Sequence, residues 1–575
     1  MRGNVRLNPA RSYLLKLSKK RAQLKLLVLA LVSMGLYLAL AIKFPLGSSL
    51  ENPRASWLSL VGGDLPWIGF QILIYFCLFW LYTISMRMLQ STALKSSPGQ
   101  VSHARSSRGQ ILVIVLAWLA FSAILLTSAA AGESHDIFDY VFRGRMMVEY
   151  QANPLVELPK AYDRAHFYLY TAWYHNVDTY GPIWEMASAG ISGVLHLAAP
   201  LFGGAVGSLP SCPESAEACR WLVIYLSGYR LFAILLTGLS ALIISKIVRG
   251  SQPALVPAAL AAWLWNPLTL LSSAVGGHND FLMLVFILAC FLLMQRRKYF
   301  FALLALVLAV HVKLTALIWA PMLFFWMVRK LGWRPAVYWS GLGLAAGLAI
   351  SWVLYLPFSG WGSLPHMLDE RTRYYANSVW RVAINFVIGK GGWFAWVAIY
   401  LIHNLPNWLS LAGAVIIPFR AFKITYMMFR GVLGKLQSLF PKTRNHAAAL
   451  PMIINAAFKP GPVEDQMADD RRLWWSATAV SLFYLIAGAY WFQHWYLLWV
   501  LAPAALLVNR RFGLKINPWL GFGALTANFL GGFILGSAAE GIQRNLAYLL
   551  IVAMIWLPGL TAYLVTRHSS QPISS

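Results

Sequence analysis

The chain has 575 residues, of which 59% are hydrophobic and only 12% are charged, about half the charged share of a soluble globular protein. Its apolar runs approach or exceed the roughly 20 residues that cross a bilayer as a helix. The formal net charge of +27 comes from short basic loops between these runs, so anionic lipid headgroups are the expected counter-charge rather than nucleic acid.

We therefore predict an all-α polytopic membrane protein of about 12–14 transmembrane helices. The clearest spans, in chain order, are 26–44, 67–86, 110–131, 220–245, 254–275, 280–295, 336–357, 392–418, 473–490, 496–508, 519–537 and 546–565.

Two further apolar segments do not fit a simple count. Residues 183–206 are apolar enough to cross, but a single crossing would put Lys246 and Arg249 outside; a re-entrant or hairpin arrangement is the open alternative. Residues 299–328 are interrupted by HVK at 311–313, which predicts two short helices with HVK at the turn. Backbone that is not helical at membrane depth must be buried in protein or line a wet cavity.

The distribution of lysine and arginine predicts the orientation in the cell membrane. The basic N-terminal tail, the loop 87–109, QRRK at 295–298 and the very basic loop 419–472 are expected inside, the last with an amphipathic surface helix. The segments 45–66 and 538–545 are expected outside, together with four outer loops that carry most of the unusual polar residues: 133–219, 276–280, 358–390 and 490–494. The expected divisions are a leading region 1–109, a catalytic core 110–330 and a C-terminal region 331–575.

The short polar loop CPESAEAC is bracketed by Cys212 and Cys219. A disulfide there requires an oxidising outer compartment. A disulfide and a pair of free thiols are both compatible with the sequence.

The stretch GESHDIFDYVFRGR, residues 132–145, places Asp136, Asp139 and Arg143 on one helical face just outside a span. A carboxylate in this position is a candidate general base towards a hydroxyl. The alternative is a polar helix cap with a surface ion pair.

Two polar breaks in apolar sequence are candidate substrate-binding sites. GGHND at 276–280 offers His278, Asn279 and Asp280 between two spans, although Asn279 or Asp280 also suits a helix N-cap. HVK offers His311 and Lys313, and a buried lysine requires an anion; snorkelling to the interface is the alternative.

Further candidates lie in the last two outer loops. Arg371 and Arg373 stand against the positive-inside bias, and a phosphate fits their guanidinium groups, as does local pairing with Asp369 and Glu370. His494 lies within the aromatic stretch YWFQHWY, which is typical of a membrane-interface belt.

The order of these motifs resembles a known family. D-I-F-x-Y is followed by R-G-R, by Asn153 and Pro154, by YGPIW from Tyr180, then by WNP at 265–267, GGHND and the K-L-T break. This order over 110–330 resembles the bacterial GT-C membrane glycosyltransferases, especially the polyprenol-phosphate-mannose-dependent α-mannosyltransferases.

The resemblance implies a GT-C bundle with a catalytic outer loop and an inverting transfer of a sugar, mannose in these relatives. The donor would be a polyprenyl-phosphate sugar, and the acceptor a glycan, glycolipid or other molecule on the extracytoplasmic face. Asp136 takes the place of the family's catalytic carboxylate, while Asp139 stands where relatives often carry a small polar residue.

The chemistry of the residues agrees with this reading. A polyprenyl phosphate, with a second pKa of about 6, leaves with little help from an acid. Lys313 with Arg371 or Arg373 would stabilise it, Asp136 would activate the acceptor, and no metal or cofactor is required. The alternative function is a lipid-linked saccharide flippase or an ion-coupled transporter, although no internal repeat is visible.

Overall fold

The computed structural model describes residues 9–51, 53, 64–94, 102–129, 134–202, 213–372, 374–387, 392–424, 466–508, 517–538 and 542–568. Helices dominate this part of the chain, and it contains no β-strand. The predicted all-α polytopic class is confirmed.

The first ten α-helices lie before the segment that contains the HVK break. They are α1 (Pro9–Lys43), α2 (Leu46–Glu51), α3 (Leu65–Leu94), α4 (Ser102–Leu125), α5 (Asp136–Glu149), α6 (Pro182–Phe202), α7 (Ala216–Ser251), α8 (Val256–Leu264), α9 (Pro267–Ala274) and α10 (Asp280–Gln295).

The remaining α-helices follow the HVK break or lead up to it. They are α11 (Tyr299–Val312), α12 (Ala320–Leu331), α13 (Trp333–Tyr355), α14 (Leu364–Thr372), α15 (Val379–Val387), α16 (Trp393–Ala421), α17 (Gln466–Phe483), α18 (Leu498–Ala504), α19 (Asn517–Ser537) and α20 (Ile542–His568).

Within the described residues, eight helices are long and apolar enough to cross a membrane, and one bent pair passes the same test as a unit. Three shorter apolar helices cover 280–295, 299–312 and 494–507. The helix α6, over the ambiguous segment 183–206, is not among the eight.

The span expected over 254–275 is a pair of short helices, α8 and α9, bent by 53°. Asn266 ends the first and caps the second, because its side chain accepts a hydrogen bond from the N–H of Leu268 at 3.0 Å. Pro267 follows at the first helical position, where its missing N–H costs nothing. The WNP sequence therefore encodes the bend.

The segment 299–328 is broken as predicted. The helix α11 ends at Val312, and Lys313 has an extended backbone with φ −152° and ψ 117°. A 3-10 turn over Leu314–Trp319 leads into α12. Lys313 therefore lies at an interruption between two apolar helices, where its side chain can turn into the protein interior.

Several predictions fall on residues outside the described ranges. These are the amphipathic surface helix and most of the basic loop 419–472, together with Cys212, Arg373 and the side chain of Arg371. Cys219 is disulfide-bonded, whereas Cys77 and Cys290 are free thiols.

Candidate active site

The site is built on α5, a 14-residue amphipathic helix whose middle turns are buried. It packs against α6 and α7. Gly144 allows this close approach, because a Cβ there would collide with the hydroxyls of Tyr229, Ser188 and Ser192. Tyr229 Oη also donates to the carbonyl of Tyr140 at 3.1 Å. These contacts fix α5 against the bundle.

The loop that follows α5 folds back over it and is held by two charged side chains. Asp139, only 3% exposed, accepts hydrogen bonds from the backbone N–H groups of Ala172 and Trp173 at 3.2 and 3.0 Å. Arg143 donates to the carbonyls of Trp173 and Asn176 at 3.1 and 2.8 Å. The carboxylate of Asp139 thus binds backbone N–H groups of this loop, and the guanidinium of Arg143 binds its backbone carbonyls.

Asp136, one turn before Asp139, has a different environment. It is partly exposed, and its Oδ1 accepts a hydrogen bond from the indole N–H of Trp173 at 3.3 Å. Burial raises the pKa of Asp136 above its ordinary value, while the Trp173 hydrogen bond and the charge of Lys313 oppose the rise. Burial also raises the pKa of Asp139, to about 7, against the lowering effect of Arg143.

Lys313 forms a buried ion pair with Asp280, with Nζ 2.9 and 3.0 Å from the two carboxylate oxygens. Trp499 donates to the same carboxylate at 2.6 Å. The ammonium group also lies 4.5 Å from the ring centre of Tyr496 and 5.3 Å from that of Tyr180. Aromatic faces and one carboxylate therefore hold this cation in a fixed position.

Gly181 brings the Lys313 break next to α5. Its N–H donates to the carbonyl of Val312 at 3.0 Å, and a Cβ at this position would overlap the backbone carbonyl of His311. The preceding residue, Tyr180, contacts Tyr140 of α5 through their hydroxyls, 3.2 Å apart. The YGP sequence is thus the contact between the two halves of the site.

The opposite wall comes from the C-terminal region. Ala376 bridges Trp491 in a short parallel pairing, and Ser378 Oγ donates to the carbonyl of Tyr490 at 2.6 Å. Tyr374 accepts a hydrogen bond from the Asn176 side chain at 2.8 Å. These contacts draw the segment 374–380 over the loop that covers α5.

These elements enclose a cavity of about 170 Å³. Carboxylates, one guanidinium and the ammonium of Lys313 line part of it, and tyrosine and tryptophan rings line the rest. Its lining residues are Asp136, Asp139, Tyr140, Arg143, Trp173, Asn176, Val177, Asp178, Thr179, Tyr180, Lys313, Tyr374, Tyr484, Tyr490, Trp491, Gln493, Trp495, Tyr496 and Trp499. Such a combination suits a ligand that carries both an anionic group and a ring with polar and apolar faces.

Five residues singled out in the sequence share this cavity. They are Asp136, Asp139, Arg143, Tyr180 and Lys313.

The GGHND residues lie behind the cavity wall and do not line it. His278 stacks on the cavity residue Trp495, with ring centres 3.9 Å apart, and Asp280 pairs with Lys313. Asn279 precedes α10, but its side chain makes no capping hydrogen bond.

His311 and His494 are also buried outside the cavity lining. His311 Nδ1 contacts the Val307 carbonyl at 2.8 Å, and the ring of His494 meets Trp495 edge-on. Arg371 belongs to α14.

Sequence reasoning did not select Trp173, Asn176, Asp178 or Trp491. Trp173 gave no distinct signal in a chain with 14% aromatic content. Trp491 lies in the stretch YWFQHWY, from which only His494 was selected, and the polar pair lies in a long loop without a recognisable motif. Among the described residues, no group of three or more His, Cys, Asp or Glu side chains has the arrangement of a metal site.

Residues 48–329 match the family described as Alpha-(1->6)-mannopyranosyltransferase, N-terminal domain. No curated protein matches the chain. The matched region contains Asp136 and Lys313, and it begins before α3. Over residues 48–329 the chain is therefore similar to the α-(1→6)-mannopyranosyltransferases, a family of GT-C type mannosyltransferases.

Proposed function

We propose that this glycosyltransferase moves mannose from a polyprenyl-phosphate donor to an acceptor hydroxyl on the extracytoplasmic face, with inversion at the anomeric carbon. The observation that carries the proposal is a single cavity lined by the carboxylate of Asp136 and the ammonium of Lys313. An acceptor needs a base, and a lipid phosphate needs a cation. Both groups are present, on elements that Gly181 brings into contact.

In this proposal Asp136 is the general base. It is partly exposed, whereas both oxygens of Asp139 accept backbone hydrogen bonds. The raised pKa of Asp136 brings its basicity closer to that needed near neutral pH. As the acceptor O–H attacks the anomeric carbon, its proton passes to the Asp136 carboxylate. The bond between that carbon and the phosphate oxygen breaks at the same time.

Lys313 has the complementary role at the leaving group. Negative charge grows on the phosphate as the glycosidic bond breaks, and a cation held in place beforehand stabilises that charge without reorganising. Asp280 and the surrounding rings hold Lys313 in this way. The phosphate needs little protonation by the protein because its second pKa is about 6.

The aromatic wall suits the sugar. Trp173, Tyr374 and Trp491 meet edge to face around the cavity, with ring centres 5.6 to 6.0 Å apart. Rings of this kind cover the apolar face of a pyranose, while Asn176 and Gln493 supply hydrogen-bonding groups for its hydroxyls.

The proposal is tested by reconstituting the full-length protein in liposomes with labelled polyprenyl-phosphate mannose and a mixture of mannoside acceptors. We expect a covalent mannosylated product, with α configuration from a β-linked donor. A nucleotide-linked mannose serves as the control donor and should give no product. Translocation of the lipid without any covalent product would contradict the proposal and favour a flippase.

A further inference from the structure

A buried acid without a defined task lies directly behind the cavity. Glu185, in the first turn of α6, is fully buried. Neither of its carboxyl oxygens has a hydrogen-bond partner among the described residues. A buried ionised carboxylate without donors is strongly unfavourable. The local environment must therefore stabilise this group in another way.

Asp178 connects Glu185 to the cavity that it lines. One oxygen, Oδ1, accepts hydrogen bonds from the backbone N–H groups of Thr179 and Tyr180 at 2.6 and 3.1 Å. The other, Oδ2, has no hydrogen-bond partner and lies 3.6 Å from Nε of Arg143. Glu185 interacts with both Asp178 and Arg143.

The charges of Glu185, Asp178 and Arg143 do not balance if both acids are ionised. Two carboxylates against the single guanidinium of Arg143 leave one uncompensated negative charge, with all three side chains buried. Two carboxyls in contact avoid this by retaining one proton between them. Since Asp178 accepts two backbone N–H groups and faces Arg143, its ionised form is the better stabilised. The proton therefore belongs on Glu185.

We propose that Glu185 is a positioning residue: its protonated carboxyl donates to Asp178 and thereby fixes Arg143 and the loop that covers the cavity. This inference rests on the proposed function. Arg143 holds the carbonyls of Trp173 and Asn176, and the indole of Trp173 contacts Asp136. The proton on Glu185 thus maintains the geometry of the proposed base without touching the substrate.

Other titratable groups around α6 enter any pH dependence. Arg143 of α5 and Asp178 of the preceding loop face Glu185 directly, and Tyr229 of α7 also interacts with it. From the further elements packed on α6, α11 carries His311 and α13 carries Tyr355, whose rings face each other 6.0 Å apart.

The activity test compares Glu185→Gln with Glu185→Ala in the full-length protein. Glutamine keeps the shape and can donate to Asp178, so kcat/KM should stay within about threefold of wild type; alanine should lose about tenfold or more. In wild type, alkaline pH removes the Glu185 proton and lowers kcat/KM. Glu185→Gln should lack that component of the profile.

Two outcomes would overturn the inference. If Glu185→Gln is as inactive as a variant lacking the base, Glu185 acts as an ionised group. If Glu185→Ala keeps wild-type activity with an unchanged pH profile, Glu185 positions nothing.

A second measurement does not depend on turnover. Infrared difference spectra of wild type and Glu185→Gln at neutral pH should contain one protonated carboxyl band belonging to Glu185. Absence of that band would overturn the inference even if mannose transfer is active. A protein without transferase activity but with the band would contradict the proposed function alone, leaving the protonation of Glu185 intact.

Discussion

Two aspartates three residues apart on one helix have different surroundings, and the difference divides their proposed roles. Both carboxylate oxygens of Asp139 accept hydrogen bonds from backbone N–H groups of the covering loop. Asp136 keeps part of its surface towards the cavity. A base must reach the proton that it removes, which favours Asp136, while Asp139 holds the loop in place.

The pH dependence of activity should report the Asp136 carboxyl. A base works in its ionised form, so kcat/KM should fall as the pH decreases through the pKa of Asp136. Because burial raises that pKa, the acid limb should lie above the ordinary aspartate value of about 3.9. A pH–rate profile of the reconstituted enzyme measures this directly.

Asp139→Asn is the matched variant for that profile. Asp136 and Asp139 repel each other only when both are ionised. Because burial raises the pKa of Asp139 to about 7, its carboxyl is already largely neutral where an acid limb below pH 7 lies, so Asp139→Asn should leave such a limb in place. A wild-type profile that stays flat down to about pH 4 would contradict the assignment of an aspartate with a raised pKa as the base.

Lys313 should matter more for the donor than for the acceptor. Lys313→Met removes the cation next to the phosphate and should raise the dissociation constant of the polyprenyl-phosphate sugar while changing acceptor binding little. Titration of each ligand separately distinguishes the two effects. Equal loss of both affinities would count against a phosphate role.

The control for this variant addresses the ion pair with Asp280. Removing one partner of a buried pair costs about 3–5 kcal/mol, so Lys313→Met alone should also lower the melting temperature. The double variant Lys313→Met/Asp280→Asn should recover stability without recovering donor affinity. Recovery of both would assign Lys313 to structure only.

The residues found from sequence and those missed differ for a physical reason. Asp136 and Lys313 are conspicuous because charge is expensive in an apolar chain. His278 and His311 drew attention on the same ground, yet one is stacked on Trp495 and the other contacts a backbone carbonyl. Trp491 lines the cavity and pairs with Ala376, a long-range contact that no local pattern encodes.

At the scale of elements, the site depends on how closely two backbones approach. Gly181 directly precedes α6 and donates its N–H to the carbonyl of Val312 at the end of α11. The approach is so close that it leaves no room for a side chain at this position. Lys313 follows immediately. The position of the cation relative to α5 is therefore set by a glycine that itself performs no chemistry.

Gly181→Ala should separate these elements. The added Cβ meets backbone rather than a flexible side chain, so the contact cannot relax locally, and we expect reduced stability and weakened donor binding. Gly190→Ala, in the middle of α6, is the matched control because nothing lies within 4 Å of its Cβ position. It should be neutral or stabilise by about 0.5–1 kcal/mol.

Thermal unfolding and donor titration check both glycine variants. Indistinguishable behaviour of Gly181→Ala and Gly190→Ala would show that the approach at Gly181 does not position Lys313.

Element boundaries were predictable where the sequence has strong local signals. The break at HVK was expected because a lysine interrupts a long apolar run, and the structure has an extended residue there. The bend within 254–275 was not expected, although Asn266 and Pro267 encode it. The hydrophobicity pattern alone predicts one continuous span, because it does not show that Pro267 begins a new helix.

At the scale of the whole molecule, the central question is which side of the membrane the cavity faces. The positive-inside bias predicts that the loop 133–219 lies outside and QRRK at 295–298 inside. The eight long apolar helices in the described part of the chain indicate a multi-pass membrane protein, and the orientation stays a prediction.

Cysteine labelling in intact cells tests the orientation. Asp163 and Lys298 are exposed and lie on opposite predicted sides. In a background with Cys77 and Cys290 replaced by serine, Asp163→Cys should react with an impermeant maleimide in intact cells, and Lys298→Cys only after permeabilisation. The reverse pattern would place the site in the cytoplasm.

Mannose transfer by Asp136→Asn in liposomes, measured together with donor binding, tests the role of this aspartate most directly. We expect the variant to bind polyprenyl-phosphate mannose with near wild-type affinity and to form no mannosylated product, while Asp139→Asn keeps measurable turnover. Undiminished transfer by Asp136→Asn would contradict the assignment of this aspartate as the catalytic base.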